Sequence, residues 1–325
     1  MRNKIDAHFF YKKFWLLFFS YLLFSFPALA SKHSVISSND SIQFFQASKK
    51  CNTKRLGIVI GGEVAIYGGL MVGLNSLWYK DFPRTKFHYF NDNKEWLQMD
   101  KVGHATTAYY VGKLGIQALD WSGVKHRNAI IYGGCLGSIF LTTVEIFDGY
   151  SAGWGFSKGD ILANTAGSAL LIAEELLWKE QRVSIKFSYT PSKYAQYRPN
   201  VLGKNFSESL LKDYNAQTYW LSANISSFLK SETKFPRWLN VAVGYGADGM
   251  TGGSDNPSAD KDGNALPIFK RYRQYYFSLD VELAKIHTHS KFINSLFETI
   301  GFIKFPAPAV EYNNVKGVVF HPFFF

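Results

Sequence analysis

The chain has 325 residues, of which 47% are hydrophobic, 17% aromatic and only 19% charged, with a formal net charge of +11. So apolar and aromatic a composition points away from the cytosol and toward an envelope or membrane setting. Lys and Arg are scattered and no basic–aromatic motif occurs, which argues against nucleic acid as a partner and for acidic membrane surfaces.

Residues 1–30 have the order of an export signal: a basic stretch with Arg2, Lys4, Lys12 and Lys13, an apolar run over 14–26, and Ala28-Leu29-Ala30 as a cleavage site. Cleavage there would start the mature chain near Ser31. No Cys follows the small residues, so lipid attachment at that point is not expected. A polar, Ser-rich leader over 31–54 is predicted to be flexible. Of the two cysteines, Cys51 lies in that leader and Cys135 in an apolar helix, where a small core residue is expected.

Four apolar stretches follow, at 56–74, 100–119, 129–147 and 161–178, forming a helical module over 55–180. At about 19 residues they are borderline for crossing a bilayer, so they suit membrane spans or the core of an all-helical domain. Ser157 is placed to cap the last of them. Beyond 180 the period drops from 3.6 to 2. Stretches around Ile185, Leu221, Val243 and Phe277, and a last one from about 309, predict five antiparallel strands over 181–325 with one apolar face. Residues 251–264 read as a long exposed loop. The expected class is therefore α+β, a four-helix module with a buried polar centre followed by an antiparallel sheet. The aromatic strands and terminal Phe325 admit a partial outer-membrane barrel, although five strands are too few to close one.

Polar groups interrupt the helices at telling intervals. Asp100 and His104 share a helix face, as do Glu145 and Asp148, and again Asp160 and Asn164. Ionisable groups in apolar helices carry a heavy desolvation cost unless they meet. Convergence in the bundle interior is expected. Such a cluster can be a network that fixes helix register. It can equally be a site, with His104 as a base oriented by Asp100. Candidate catalytic groups are His104, Asp100, Glu145 and Asp160, and candidate binding groups add Lys101, Asp148, Ser157 and Asn164. A divalent cation is the cofactor such donors could hold, on Glu145, Asp148 and Asp160, with Asn164 completing an oxygen-rich shell. Lys101 either faces lipid headgroups or pairs with Glu145.

The run Asp100-Lys101-x-x-His104, Glu145-x-x-Asp148 and Phe156-Ser157-x-x-Asp160-x-x-x-Asn164-x-x-Gly167 resembles the YfiM-like family of exported bacterial envelope proteins. It is more distantly similar to the VanZ-like membrane proteins. Tyr194-Ala-x-x-Arg198-Pro and Lys212-Asp-Tyr-Asn215 look like the downstream region of the YfiM-like family. The resemblance implies a helical envelope module without a defined activity. The expected role is lipid- or partner-binding, or structural, at the outer membrane or a periplasmic membrane surface of a Gram-negative-type envelope, with the strand half as the tether. The partner would be membrane lipid or another envelope protein. The alternative is a membrane-embedded hydrolase or transferase acting on a lipid or cell-wall precursor headgroup through His104 and the carboxylates.

Overall fold

The computed structural model describes residues 47–75, 79, 82–230, 232–259 and 263–325, so the expected export signal and most of the leader lie outside the described residues. Four long helices occupy the first half: α1 (Thr53–Leu74), α2 (Met99–Trp121), α3 (His126–Gly149) and α4 (Lys158–Trp178). The Asn52 side chain accepts from the Lys54 and Arg55 N–H groups and so starts α1, and Ser157 caps α4 as its sequence position predicts. Helices α2, α3 and α4 pack mutually around Tyr109, Ile116 and Leu171, while α1 touches them more lightly. The described end of the leader is tied down: Ser48 and Asn52 donate their N–H groups to Trp121 O and Ser122 O at 3.2 and 2.8 Å. Both cysteines are free thiols, and Cys135 is half-buried, not a core residue.

Backbone contact at two glycines sets the spacing of the bundle. A Cβ at Gly137 would lie 2.2 Å from Ala108 O, and one at Gly167 would lie 2.0 Å from Ala105 O. Helix α2 therefore meets α3 and α4 main chain to main chain, and the second of these contacts is beside His104.

The second half is a six-stranded antiparallel sheet in sequence order: β1 (Val183–Tyr189), β2 (Gln217–Asn224), β3 (Leu239–Asp248), β4 (Tyr272–Val281), β5 (Ala307–Asn313) and β6 (Gly317–Phe324). Short helices α5 (Pro199–Leu202) and α6 (Phe206–Lys212) precede β2, and α7 (Lys291–Ile300) precedes β5. Six strands form where five were expected, because the last stretch is a hairpin. Asn313 Oδ1 accepts from the Val315 and Lys316 N–H groups at 2.9 and 2.7 Å, and Gly317 takes φ +71°. The sheet is open and not a closed barrel. The outer edge of β1 is covered by residues 302–304, with Phe187 N–H donating to Phe302 O and Lys304 N–H to Phe187 O.

The two faces of the sheet have opposite chemistry. Tyr219, Tyr245, Tyr275 and Tyr312 stand in one cross-strand row, and Leu221, Val243, Phe277, Val310 and Phe320 in the next. At the β1–β2 end this face packs on the helices, with Ile185 against the bundle core and Tyr219 in the cluster around Met99. Toward β6 the same face is open, with Phe277 55% and Phe320 63% exposed. The other face is buried, with Trp220 and Tyr276 in an apolar cluster beside a set of bonded polar groups. Lys186 Nζ pairs with Asp280 Oδ2 at 2.8 Å, Ser222 Oγ donates to the same oxygen, and Asn240 Nδ2 donates to Ser222 Oγ. Lys304 Nζ donates to Leu279 O, Phe305 O and Ser278 Oγ. The loop expected to be exposed over 251–264 begins buried, at Thr251 and Gly252.

Two stability experiments follow from this packing. Gly137→Ala forces α2 and α3 apart and should cost about 1–3 kcal/mol in thermal melts of the purified chain. Gly68→Ala, where nothing lies within 4 Å of the added Cβ, should leave stability unchanged or raise it by about 0.5–1 kcal/mol. Burial pushes the Lys304 ammonium down to about 8, against the pull of Asp280 and with Lys186 adding to the depression. Between that value and the ordinary lysine range near 10.4 only the unfolded chain holds this proton, so stability rises with pH across the window and is flat below it. The rise attributable to Lys304 should be about 3 kcal/mol. Melts of the wild type against Lys304→Met should show a stability difference that changes by that amount across the window and is constant below it.

Candidate functional site

The polar centre is built where the N-terminal ends of α2 and α4 meet the C-terminal end of α3. A segment ahead of α2 completes it. Phe90 N–H donates to Phe156 O and Phe156 N–H to His88 O, which brings Asp92 alongside Ser157. The chain then makes a single left-handed turn: Trp96, Leu97 and Gln98 have φ of 47°, 50° and 69°. Left-handed backbone at a residue with a Cβ costs about 1–2 kcal/mol, so three in succession persist only when clamped from outside. The strand half supplies the clamp. Gly253 O accepts from Trp96 N–H at 2.8 Å, the Tyr245 hydroxyl donates to Leu97 O, and Arg273 Nη2 donates to Gln98 Oε1 at 2.6 Å. The next residue is Met99, the first of α2.

Lys101 occupies the middle of the cluster. Its ammonium lies 2.7 Å from Asp92 Oδ1, 3.0 Å from Asp100 Oδ2 and 2.8 Å from Asp160 Oδ1. It does not pair with Glu145 or turn outward, the two placements the sequence left open. Ser157 works three ways: its hydroxyl donates to Asp92 Oδ1 at 2.6 Å and accepts from Asp160 N–H, and its own N–H donates to Glu145 Oε2 at 3.1 Å. The hydroxyl is thus spent on capping and on Asp92, not held as a nucleophile. His104 Nδ1 is 3.0 Å from Asn164 Oδ1, and its Nε2 faces Glu145 Oε1 at 4.0 Å and Asp160 Oδ1 at 3.9 Å. Asp148 stands slightly apart, accepting from the Tyr79 hydroxyl at 2.7 Å.

Glu145, Ser157, Asp160 and Asn164 are buried, whereas the His104 side chain keeps 24% of its surface and is the accessible member. Burial pushes the Asp92 carboxyl up, but the hydrogen bonds from Lys101 and Ser157 outweigh it and hold it below the usual range. Asp100 goes the other way, raised by burial that Lys101 offsets only in part. Burial opposes the charge on Lys101, yet Asp100, Asp160 and Asp92 together raise its pKa above that of an ordinary lysine. The ammonium stays charged at every physiological pH.

The sequence-derived residues Asp100, Lys101, His104, Glu145, Ser157, Asp160 and Asn164 come together. The cation set inferred from spacing, Glu145 with Asp148 and Asp160, differs from the geometric one: His104 takes the place of Asp148. Two members were missed by reading motifs. Asp92 lies in a loop and shows no helix-face pattern, although the run Asn91-Asp92-Asn93 just before α2 was a signal. Tyr79 had none.

Residues 88–174, about a quarter of the chain, match the model of a family described as "Predicted periplasmic lipoprotein (DUF2279)". The matched segment runs from the strand pairing beside Asp92 to Glu174 in α4 and so contains the polar centre apart from Tyr79. The description fits an exported protein of the cell envelope. No curated protein and no solved structure matches the chain.

Proposed function

We propose that the protein is an exported envelope protein embedded in a membrane, with its polar centre at the level of the lipid headgroups, where it binds a headgroup or an envelope partner. The observation that carries this reading is where the helices put their apolar side chains. Helices α1, α3 and α4 are each long and apolar enough to cross a membrane, with little of each buried inside the protein. Val64 and Val72 on α1, Ile139 on α3 and Leu162 on α4 all face outward, between 56% and 72% exposed. Lipid is the solvent that suits such a surface, since exposed apolar patches of this extent are rare on soluble monomers. The polar centre then lies at one end of the bundle, where water and headgroups can reach His104. The open apolar face of β3–β6 extends the same surface, which supports the strand half as an additional tether. Kinship with the YfiM-like and VanZ-like proteins rests on the motif residues and belongs to this reading.

A second reading, a hydrolase or transferase acting on a lipid or cell-wall precursor headgroup, is favoured by one feature. The accessible His104 has Nδ1 held by Asn164 Oδ1, which leaves the Nε2 lone pair to act as a general base.

Membrane partitioning tests the first reading. The wild-type chain should remain in the membrane fraction through high-salt and alkaline carbonate washes and be released only by detergent. Replacing Val64 and Ile139, near the middles of α1 and α3, with Lys should abolish that behaviour, at about 2.5–3.5 kcal/mol for each Lys. Release of the wild type by salt alone would mean that the apolar faces are covered by protein, and the membrane reading would fall.

A further inference from the structure

We propose that His104, Glu145 and Asp160 bind one divalent transition-metal cation, Zn2+ or Mn2+. This deepens the reading of the same polar centre by naming what occupies it. Three ligand atoms, one from each of α2, α3 and α4, lie within 4.8 Å of one another. His104 Nε2 is 4.0 Å from Glu145 Oε1 and 3.9 Å from Asp160 Oδ1. Those separations are too long for hydrogen bonds. Three donors about 2.0–2.2 Å from one metal lie at most about 3.8 Å apart on average, so a closure of a few tenths of an ångström brings these three onto a common ion.

The imidazole is set up to ligate. Asn164 Oδ1, an amide oxygen, can only accept, so His104 Nδ1 carries the proton of their 3.0 Å contact and Nε2 presents its lone pair to the carboxylates. Asn164 adds a second, independent observation. It is fully buried, yet its Nδ2 has no partner. The carboxamide that orients the histidine thus has a donor left over at the cluster, where an oxygen ligand completing the shell of an ion would accept from it.

Charge points the same way. The three N–H groups of Lys101 are taken up by Asp92, Asp100 and Asp160. A second cluster of possible ligand atoms, on Asp92, Asp100 and Asp160, is therefore already filled by an ammonium and has no room for an ion. On the other side, buried Glu145 receives one backbone N–H on Oε2 and turns Oε1 to the uncommitted face of His104. A buried carboxylate in that position is stabilised by a cation. Asp160 Oδ1 lies between the ammonium and the imidazole, 2.8 Å from Lys101 Nζ and 3.9 Å from His104 Nε2. One imidazole with two carboxylates favours Zn2+ or Mn2+ over the all-oxygen preference of Ca2+ or Mg2+.

The experiment uses the full chain, purified in detergent and stripped with a chelator, then titrated with Zn2+ and separately with Mn2+ by calorimetry and metal analysis. One of the two ions should bind at one per chain and raise the melting temperature. His104→Ala and the isosteric Glu145→Gln should each weaken that binding by about 100-fold or more, and Asn164→Ala by about 10–100-fold through loss of orientation. His126→Ala removes an exposed imidazole at the opposite end of α3, paired with Asp120 and Glu175, and should leave the bound stoichiometry unchanged. Melting curves of the metal-free variants separate misfolding from loss of a ligand, and Glu145→Gln preserves shape if His104→Ala does not fold. Failure of both ions to bind, or binding that survives His104→Ala and Glu145→Gln, would overturn the proposal. Neither result bears on membrane partitioning, so the two readings fail separately.

Discussion

The ammonium of Lys101, held by Asp92, Asp100 and Asp160, is the contact around which the rest of the molecule is organised. It stands where three helix ends converge, and each of its partners arrives by a different route: a loop, its own helix and α4. An unpaired buried charge costs several kcal/mol, so none of those elements can shift without exposing another group. Ser157 ties the arrangement further, because one residue caps α4, holds Asp92 and reaches Glu145. The glycine contacts serve the same end. Gly167 brings α4 against Ala105, one residue from His104, and without that approach His104 and Asn164 could not meet.

This explains why the strand half and the helical half belong to one machine. The left-handed turn at residues 96–98 is unfavourable for Trp, Leu and Gln alike, and its hydrogen bonds come from Tyr245, Gly253 and Arg273 beyond 180. The turn aims the first residues of α2, and with them Asp100 and Lys101. Strain in the backbone beside a charged centre persists here because a distant sheet holds it.

The surface obeys a second constraint. Charged and amide groups of the sheet are buried and mutually bonded, while Val243, Tyr275, Phe277, Tyr312 and Phe320 of the same strands face outward. The helices repeat the inversion, with their carboxylates and imidazole inside and Val64, Ile139 and Leu162 outside. Both halves thus bury polar groups among themselves and expose apolar side chains over part of their surface.

Local pattern determined a good deal of this protein. The 3.6-residue spacing of apolar residues fixed four helices, the cap at Ser157 and the shared face of Asp100 with His104, because a helix brings i and i+4 together whatever its surroundings. The two-residue alternation likewise fixed the strands, short of the final turn at 314–316 that divides the last stretch into β5 and β6. Partnership was another matter. That Lys101 chooses three aspartates over Glu145, that Asp92 joins the cluster, and that His104 and not Asp148 completes the ligand set all depend on how helices from separate stretches are rotated against one another. Alternation also defines two faces of a sheet without saying which is enclosed. Only the packed structure decided that the polar face is the inner one, because burial is a property of neighbours and not of the residues that are buried.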